Sequence, residues 1–258
     1  MKHSKGLLYG RNIDGSVYVA GLGKCTDTNI VIPPVYKGKN VTSIGEYAFH
    51  SCDALTSITI PNSVTSIRKF AFTYCTSLTS INIPNSVVIV GRYAFYNCTG
   101  LTSVTIENGV MSIGVAAFWG CSSLRDVTIP NGLIGIGDSA FYYCINLKSP
   151  ENKYKAFSIV NGKLKCRNKT YAVDKKSMCR GSLSLCENGI HYCTNIFDIF
   201  NYYSGEYGKY FVIGICDVSD KNIGGNDDSK RCARWVIPNR ILTREEVINI
   251  MNGKDISE

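Results

Sequence analysis

Cys179, Cys186, His191 and Cys193 are residue types that could ligate zinc, and they fall close together in the C-terminal half of the sequence. Structural zinc is held by cysteines or histidines paired a few residues apart. Here the spacings are Cys-x6-Cys and His-x-Cys, with no Cys-x2-Cys pair, so no metal site is expected. On a strand His191 and Cys193 would point to one side, which equally suits an ordinary buried strand face. A Cys–His nucleophile meets the same difficulty. His191 is the one histidine after residue 150, and no partner base or oxyanion donor is marked. Gly224-Gly225 sits in a polar stretch without the Lys-Ser/Thr of a phosphate-cradling loop. No catalytic set and no cofactor are expected.

Five more cysteines follow a different logic. Cys52, Cys75, Cys98, Cys121 and Cys144 are each 23 residues apart. The N-terminal stretch MKHSKGLLYG has only a two-residue apolar patch, which is no secretory signal. Reduced thiols and a cytoplasmic location are therefore the expectation, a secreted or surface location requiring a leader ahead of this sequence. These cysteines read as small apolar core residues.

Two sets of side chains could bind rather than react. The first is a row of short polar residues, Ser57, Thr59, Ser80, Asn82, Ser103, Thr105, Asp126 and Thr128, which would line the outer face of short strands. Such a row is an adaptable binding face or a solvated sheet surface that suits threonine in any case. The second follows a recurring Ala-Phe pair: His50, Thr73, Tyr96, Trp119 and Tyr142, with Tyr74 and Tyr143 beside them. Facing solvent, these make an aromatic recognition strip; packed inward, they are core.

The elements that must position these residues come from one repeating unit. Repeats start at Val41, Val64, Val87, Val110 and Leu133, with Ala-Phe at 48–49, 71–72, 94–95, 117–118 and 140–141. Leu55–Ile60 and its successors have apolar residues at the first, fourth and sixth positions, the pattern of a short strand with one edge turned inward. Pro61, Pro84 and Pro130 end these strands at a corner, where Glu107 stands in the third repeat. Val-Thr-Ser-Ile then alternates as a second short strand, and the Tyr-Ala-Phe segment is expected to be a turn of helix. A single unit buries too little to offset the ordering of its own backbone, so the units must stack. Before them, Asp14-Gly15 between two extended stretches predicts a β-hairpin. Thr28–Pro33 imitates the strand part of the repeat as a degenerate first rung.

The run Leu-Thr-Ser-Ile-Thr-Ile-Pro-Asn-Ser-Val-Thr-Ser-Ile, followed by Ala-Phe-x-x-Cys, resembles the BspA-like class of leucine-rich repeats over residues 28 to about 149. That resemblance implies a curved solenoid used in adhesion or protein recognition.

Beyond Lys148-Ser149-Pro150 the period disappears and Lys, Asn, Asp and Tyr rise. The expected organisation is a cap over 1–40, a solenoid over 41–149 and an α+β domain over 150–258. In the last, a hairpin is predicted around Asn161-Gly162, strands over 185–193, 210–218 and 231–237, and a helix over 196–203. A polar loop should cover 221–228, and Thr243-Arg244-Glu245-Glu246 should open a final helix. The segments around Cys186–Cys193, Asp198, Tyr202-Tyr203 and Asp227–Lys230 are similar to an uncharacterised domain of bacterial and phage proteins, from about 154 to 248. A weaker likeness to a small ADP-ribosyltransferase-like core would imply a pocket around Arg167, His191 and Tyr202 for a nicotinamide nucleotide.

The formal charge of +8 is spread over both halves without a block of like sign, which argues against nucleic acid as partner. No apolar run approaches the length of a membrane span. The functional expectation is a monomeric, non-enzymatic protein-recognition module with a protein partner. Its alternative is a C-terminal enzyme or small-ligand binder delivered by the repeats.

Overall fold

In the computed structural model of the protein, residues 2–147 are described throughout. Beyond them the description covers 241–254, Ile196, Phe197 and the backbone of the strands named below. The chain forms two compact units, residues 1–147 and 148–258.

The first unit begins with a hairpin of β1 (Leu8–Arg11) and β2 (Val17–Gly21). Asp14 Oδ1 accepts from both the amide and the hydroxyl of Ser16, at 2.9 and 2.6 Å, which fixes the turn. Then come β3 (Asn29–Val31), β4 (Val35–Tyr36) and β5 (Lys39–Ile44). In each later rung two short strands alternate: β6 (Ser57–Thr59) and β7 (Ser66–Ile67), then β8 (Ser80–Ile83) and β9 (Ile89–Val90). They are followed by β10 (Ser103–Ile106) and β11 (Ser112–Ile113), then β12 (Asp126–Thr128) and β13 (Gly135–Ile136).

Because equivalent residues are 23 apart, pairing between the repeats is parallel and in register, while the cap strands β2 and β3 join in parallel at other offsets, β2 with a register shift. One wall contains β3 on β6 and the run β8-β10-β12, as in Ser80↔Ser103↔Asp126. The second runs β2-β5-β7-β9-β11-β13. Inside, Phe49, Phe72, Phe95, Phe118 and Phe141 stack with centroids 5.1, 5.0, 5.1 and 5.5 Å apart and rings within 9° of parallel. Leu55, Leu78, Leu101, Leu124 and Leu147 are buried beside them, as are the four cysteines from Cys75 on. Cys52, at the open end of its column, is half-buried.

The Tyr-Ala-Phe segment is not the turn of helix that its sequence suggests. Alternate amides bond to the next rung: Phe49 N to Ala71 O at 2.8 Å, Ser51 N to Thr73 O at 2.8 Å, and so on to Gly120 N and Tyr142 O at 2.8 Å. A helix would keep those donors within the segment. Here two left-handed residues per rung bend the chain instead, such as Phe70 (φ 58°) and Tyr74 (φ 61°). The result is a third hydrogen-bonded wall made of turns.

The second unit contains β14 (Tyr154–Val160), β15 (Lys163–Cys166), β16 (Lys169–Tyr171), β17 (Ser177–Met178) and β18 (Ile190–Tyr192). These are followed by β19 (Gly205–Glu206), β20 (Phe211–Val218), β21 (Asn222–Gly224), β22 (Arg231–Ala233), β23 (Trp235–Ile241) and α1 (Arg244–Met251). An antiparallel sheet runs β16-β15-β14-β20-β23-β17, and β18, β22 and β21 make a second sheet. The predicted hairpin is the β14–β15 pair, Val160 opposite Lys163. The stretch read as a polar loop corrects to strand at Asn222–Gly224, which pairs with Arg231–Ala233. A partner strand supplies the hydrogen bonds that its glycine-rich composition does not advertise. Of the helix expected over 196–203, residues 198–203 lie outside the described set. The capping box stands as read, with Glu246 N donating to Thr243 Oγ1 at 3.2 Å and Thr243 N to Glu246 Oε2 at 2.6 Å. The architecture is a β-solenoid followed by an α+β unit.

Candidate recognition surface

The first wall carries the short polar residues where their alternation puts them. Thr59, Ser80, Asn82, Thr105, Asp126 and Thr128 are exposed, while Ser57 and Ser103 are half-buried. Two of them are engaged by side chains of neighbouring rungs. Ser57 Oγ donates to Asn29 Oδ1 at 2.7 Å, and Asn82 Nδ2 to Glu107 Oε1 at 2.8 Å. Glu107 Oε2 also accepts from the Asn85 amide at 2.8 Å, so the carboxylate that replaces a corner proline ties two rungs together.

The turn wall brings the aromatic residues into one strip. Tyr74 and Tyr143 are 42% and 54% exposed, and Tyr96, Trp119 and Tyr142 are half-buried. Ring centroids run His50–Tyr74 6.0 Å, Tyr74–Tyr96 5.7 Å, Tyr96–Trp119 6.1 Å and Trp119–Tyr142 4.5 Å. Thr73 does not belong to it: the residue is buried, and its hydroxyl donates to Tyr93 O at 2.8 Å. Tyr74, one residue on, leans into the gap between His50 and Tyr96.

A second row lies alongside that sequence reading did not single out. Tyr47, Phe70 and Tyr93 stack at 4.9 Å each, with rings 5° and 13° from parallel. It joins the first row through Tyr93–Tyr96 at 5.6 Å and Tyr47–His50 at 5.8 Å. The signal was present, since the residue before each of the first three Ala-Phe pairs is aromatic. With that segment taken for helix, the position had no assigned direction.

The backbone beneath these rings is unusual. Tyr47, Phe70, Tyr74, Tyr93 and Tyr143 all have φ between 56° and 61°. Left-handed backbone disfavours bulky side chains by about 1–2 kcal/mol per residue, and glycine or asparagine is the inexpensive choice. Gly120 and Asn97 take that choice in the Tyr74 column of other rungs.

Charge is uneven along the strip. Arg68, Lys69 and Arg92 lie beside its first three rungs. Lys69 pairs with Glu46 at 3.3 Å. Arg68 packs over the Tyr18 ring at 4.5 Å and donates to Asn12 Oδ1 at 2.6 Å. Arg92 lies over Tyr93 at 4.8 Å.

The thiol column behind the strip is not reactive chemistry. Cys75, Cys98, Cys121 and Cys144 donate to the carbonyls of Phe49, Phe72, Phe95 and Phe118 at 3.0–3.2 Å. Burial, then the neighbouring Cys75, pushes the Cys52 thiol up to about 12. Cys121 is raised by burial first and by Cys144 second, while Cys75 is raised chiefly by its hydrogen bond with Cys98. A thiolate nucleophile requires the opposite shift.

In the second unit, Arg167 and Tyr202 lie outside the described residues, as do Cys179, Cys186 and Cys193. The backbone of His191 is in β18, opposite Cys232 of β22. Among the described residues no group of three or more His, Cys, Asp or Glu could hold a metal ion, and no helix is long and apolar enough to cross a membrane.

Comparison with known proteins agrees with this geometry. Residues 154–250 match a domain of unknown function, DUF7666. No curated protein matches the chain. Among solved structures, a leucine-rich repeat protein from Bacteroides ovatus is 40% identical with a TM-score of 0.51, over 56% of this chain and 39% of its own. This chain thus spans about two fifths of that protein's length. The T. pallidum leucine-rich repeat protein is 26% identical with a TM-score of 0.48, over 57% of this chain and 80% of its own. A leucine-rich cell surface protein from Faecalibacterium prausnitzii is 24% identical with a TM-score of 0.44, over 63% of this chain and 57% of its own. Residues 24–160, more than half of the sequence and all of the stacked rungs, match the BspA type leucine-rich repeat region in six copies. The chain belongs to the BspA-type leucine-rich repeat family.

Proposed function

We propose that the repeat unit is a non-enzymatic protein-recognition module and that the turn wall, with its aromatic strip, is the binding face. One observation carries this reading: Tyr74 and Tyr143 sit at left-handed positions that Gly120 fills in the same column, and Tyr47, Phe70 and Tyr93 at left-handed positions that the small Ala116 and Ser139 fill in theirs. Strain retained at a surface marks positions held for a purpose other than folding. Tyrosine and tryptophan are also the residues that dominate binding energy at protein interfaces, because they bury large area with few rotors to freeze. The polar first wall supports the reading less well, since Ser57 and Asn82 are already engaged by Asn29 and Glu107 of neighbouring rungs. Five rungs at about 4.8 Å make a face roughly 20 Å long, the scale of one modest interface.

The test is capture of partners by the full chain, by residues 1–149, and by a Tyr47→Gly/Tyr74→Gly/Tyr143→Gly variant. Proteins retained by the first two and lost by the variant support the reading. Proteins retained equally by the variant would overturn it.

A further inference from the structure

The strip has an electrical character that narrows its partner. Phe70 has a parallel ring on either side, Tyr47 and Tyr93, each at 4.9 Å. Both of its faces are therefore covered, and what it shows to solvent is ring edge. An aromatic ring is negative on its face and positive around its edge. At Phe70 the stacking thus hides the negative faces and displays the positive rim. Phenol hydroxyls sit at the same rim on Tyr47 and Tyr93.

Fixed charge points the same way. On one flank of these three rungs Arg68, Lys69 and Arg92 stand against a single carboxylate, Glu46, which pairs with Lys69, while Arg68 is held by Tyr18 and Asn12. Arg92 is exposed, and among the described residues no acidic side chain lies within ion-pair distance of it. The balance changes further along. The same column reads Val115 and then Asp138 in the last two rungs, where Trp119 and Tyr142 dominate the strip. On the opposite flank Asp53 accepts from Thr76 at 2.9 Å, and Thr99 and Ser122 follow.

Resting on the reading of the strip as the binding face, we infer that its occupant is an extended acidic peptide segment of a partner protein. Its carboxylates lie against Lys69 and Arg92, and its apolar side chains against Trp119 and Tyr142. A face about 20 Å long accommodates roughly six residues of extended chain. Sugars and single-stranded nucleic acid are the other ligands of aromatic–basic surfaces, and both stack flat on open ring faces. Phe70, in the middle of this row, has given both of its faces to Tyr47 and Tyr93 and offers none to stack on.

The test measures fluorescence anisotropy of the full chain with four labelled probes: a short peptide of Glu, Leu and Gly; its Lys-for-Glu counterpart; its Ser-for-Leu counterpart; and an oligothymidylate. Saturable binding of the Glu–Leu peptide, weakened about tenfold or more by either exchange, is expected. Arg92→Glu, at an exposed position, should weaken the Glu–Leu peptide about tenfold and strengthen the Lys counterpart, with an unchanged melting curve. Equal binding of the two charge forms, no saturable binding of the Glu–Leu peptide, or tighter binding of the oligothymidylate would overturn the inference. Partner capture that depends on Tyr47, Tyr74 and Tyr143 but is indifferent to Arg92→Glu would overturn it while leaving the recognition face in place.

Discussion

The Cys75 thiol donates to the carbonyl of Phe49, in the rung before it, at 3.0 Å. The same carbonyl accepts the Cys52 amide at 3.2 Å, so one oxygen closes a turn in its own rung and anchors the next. Three further repeats of this bond make the cysteine column part of the solenoid's hydrogen bonding as well as its packing.

Cys98→Ala should therefore cost more than a lost methyl-sized contact. The thiol is fully buried, and its removal leaves a small cavity and a carbonyl short of one partner. A loss of about 1–3 kcal/mol is expected in urea unfolding. Cys52→Ala, half-buried with a 3.8 Å contact to His50 O, should cost under about 1 kcal/mol. Equal effects at the two positions would remove the hydrogen-bonding account.

Alkaline pH should destabilise the repeat unit. The Cys52 thiol is pushed up to about 12, and Cys75 and Cys121 are also raised. In the unfolded chain a cysteine ionises near pH 8.5. Between the two values the unfolded state has lost protons that the folded state still holds, so stability falls as pH rises. The contribution is complete below about pH 8.5 and is lost progressively towards about 12. Melting temperature measured from pH 7 to 10.5 should decline, with a shallower slope in Cys52→Ser.

Tyr74→Gly should leave stability unchanged or raise it by up to about 1 kcal/mol, because relief of the left-handed backbone offsets the lost ring contacts. Gly120 shows that the column tolerates glycine. A destabilisation above about 2 kcal/mol would show that the ring is needed for folding and would weaken the functional reading of the strain.

Trp119→Ala separates strip from core. The ring is half-buried against Tyr142 and Tyr96, so a loss of about 1–2 kcal/mol is expected, compared with about 3–5 for Phe95→Ala in the central stack. Thermal unfolding of the two variants side by side checks the ranking.

Glu107→Ala should cost about 1–2 kcal/mol by releasing Asn82 Nδ2 and the Asn85 amide together. Glu107→Gln keeps acceptor geometry for one of them and should lose about half as much. Chemical denaturation of both variants measures the difference.

Much of the solenoid could be read directly from the letters. A 23-residue period fixes which residues stack, because equivalent positions must lie one rung apart once the units pile up. That placed Phe95 over Phe72 and Cys98 over Cys75, and the first, fourth and sixth positions of each strand in the core. The capping box at Thr243 was equally legible, since its bonds are local in sequence.

What period alone could not decide was direction at the turn wall. Tyr-Ala-Phe contains no helix breaker and one strong helix former, Ala, and its left-handed residues are ones that sequence preference argues against. Bonds such as Phe49 N to Ala71 O exist only after stacking, and they override local preference. The tertiary arrangement therefore decided that Thr73 is buried, that Tyr47, Phe70 and Tyr93 join the strip, and that Phe70 meets solvent with its rim rather than its faces. Repetition names the neighbours of each residue; only the packed backbone sets which way each side chain points.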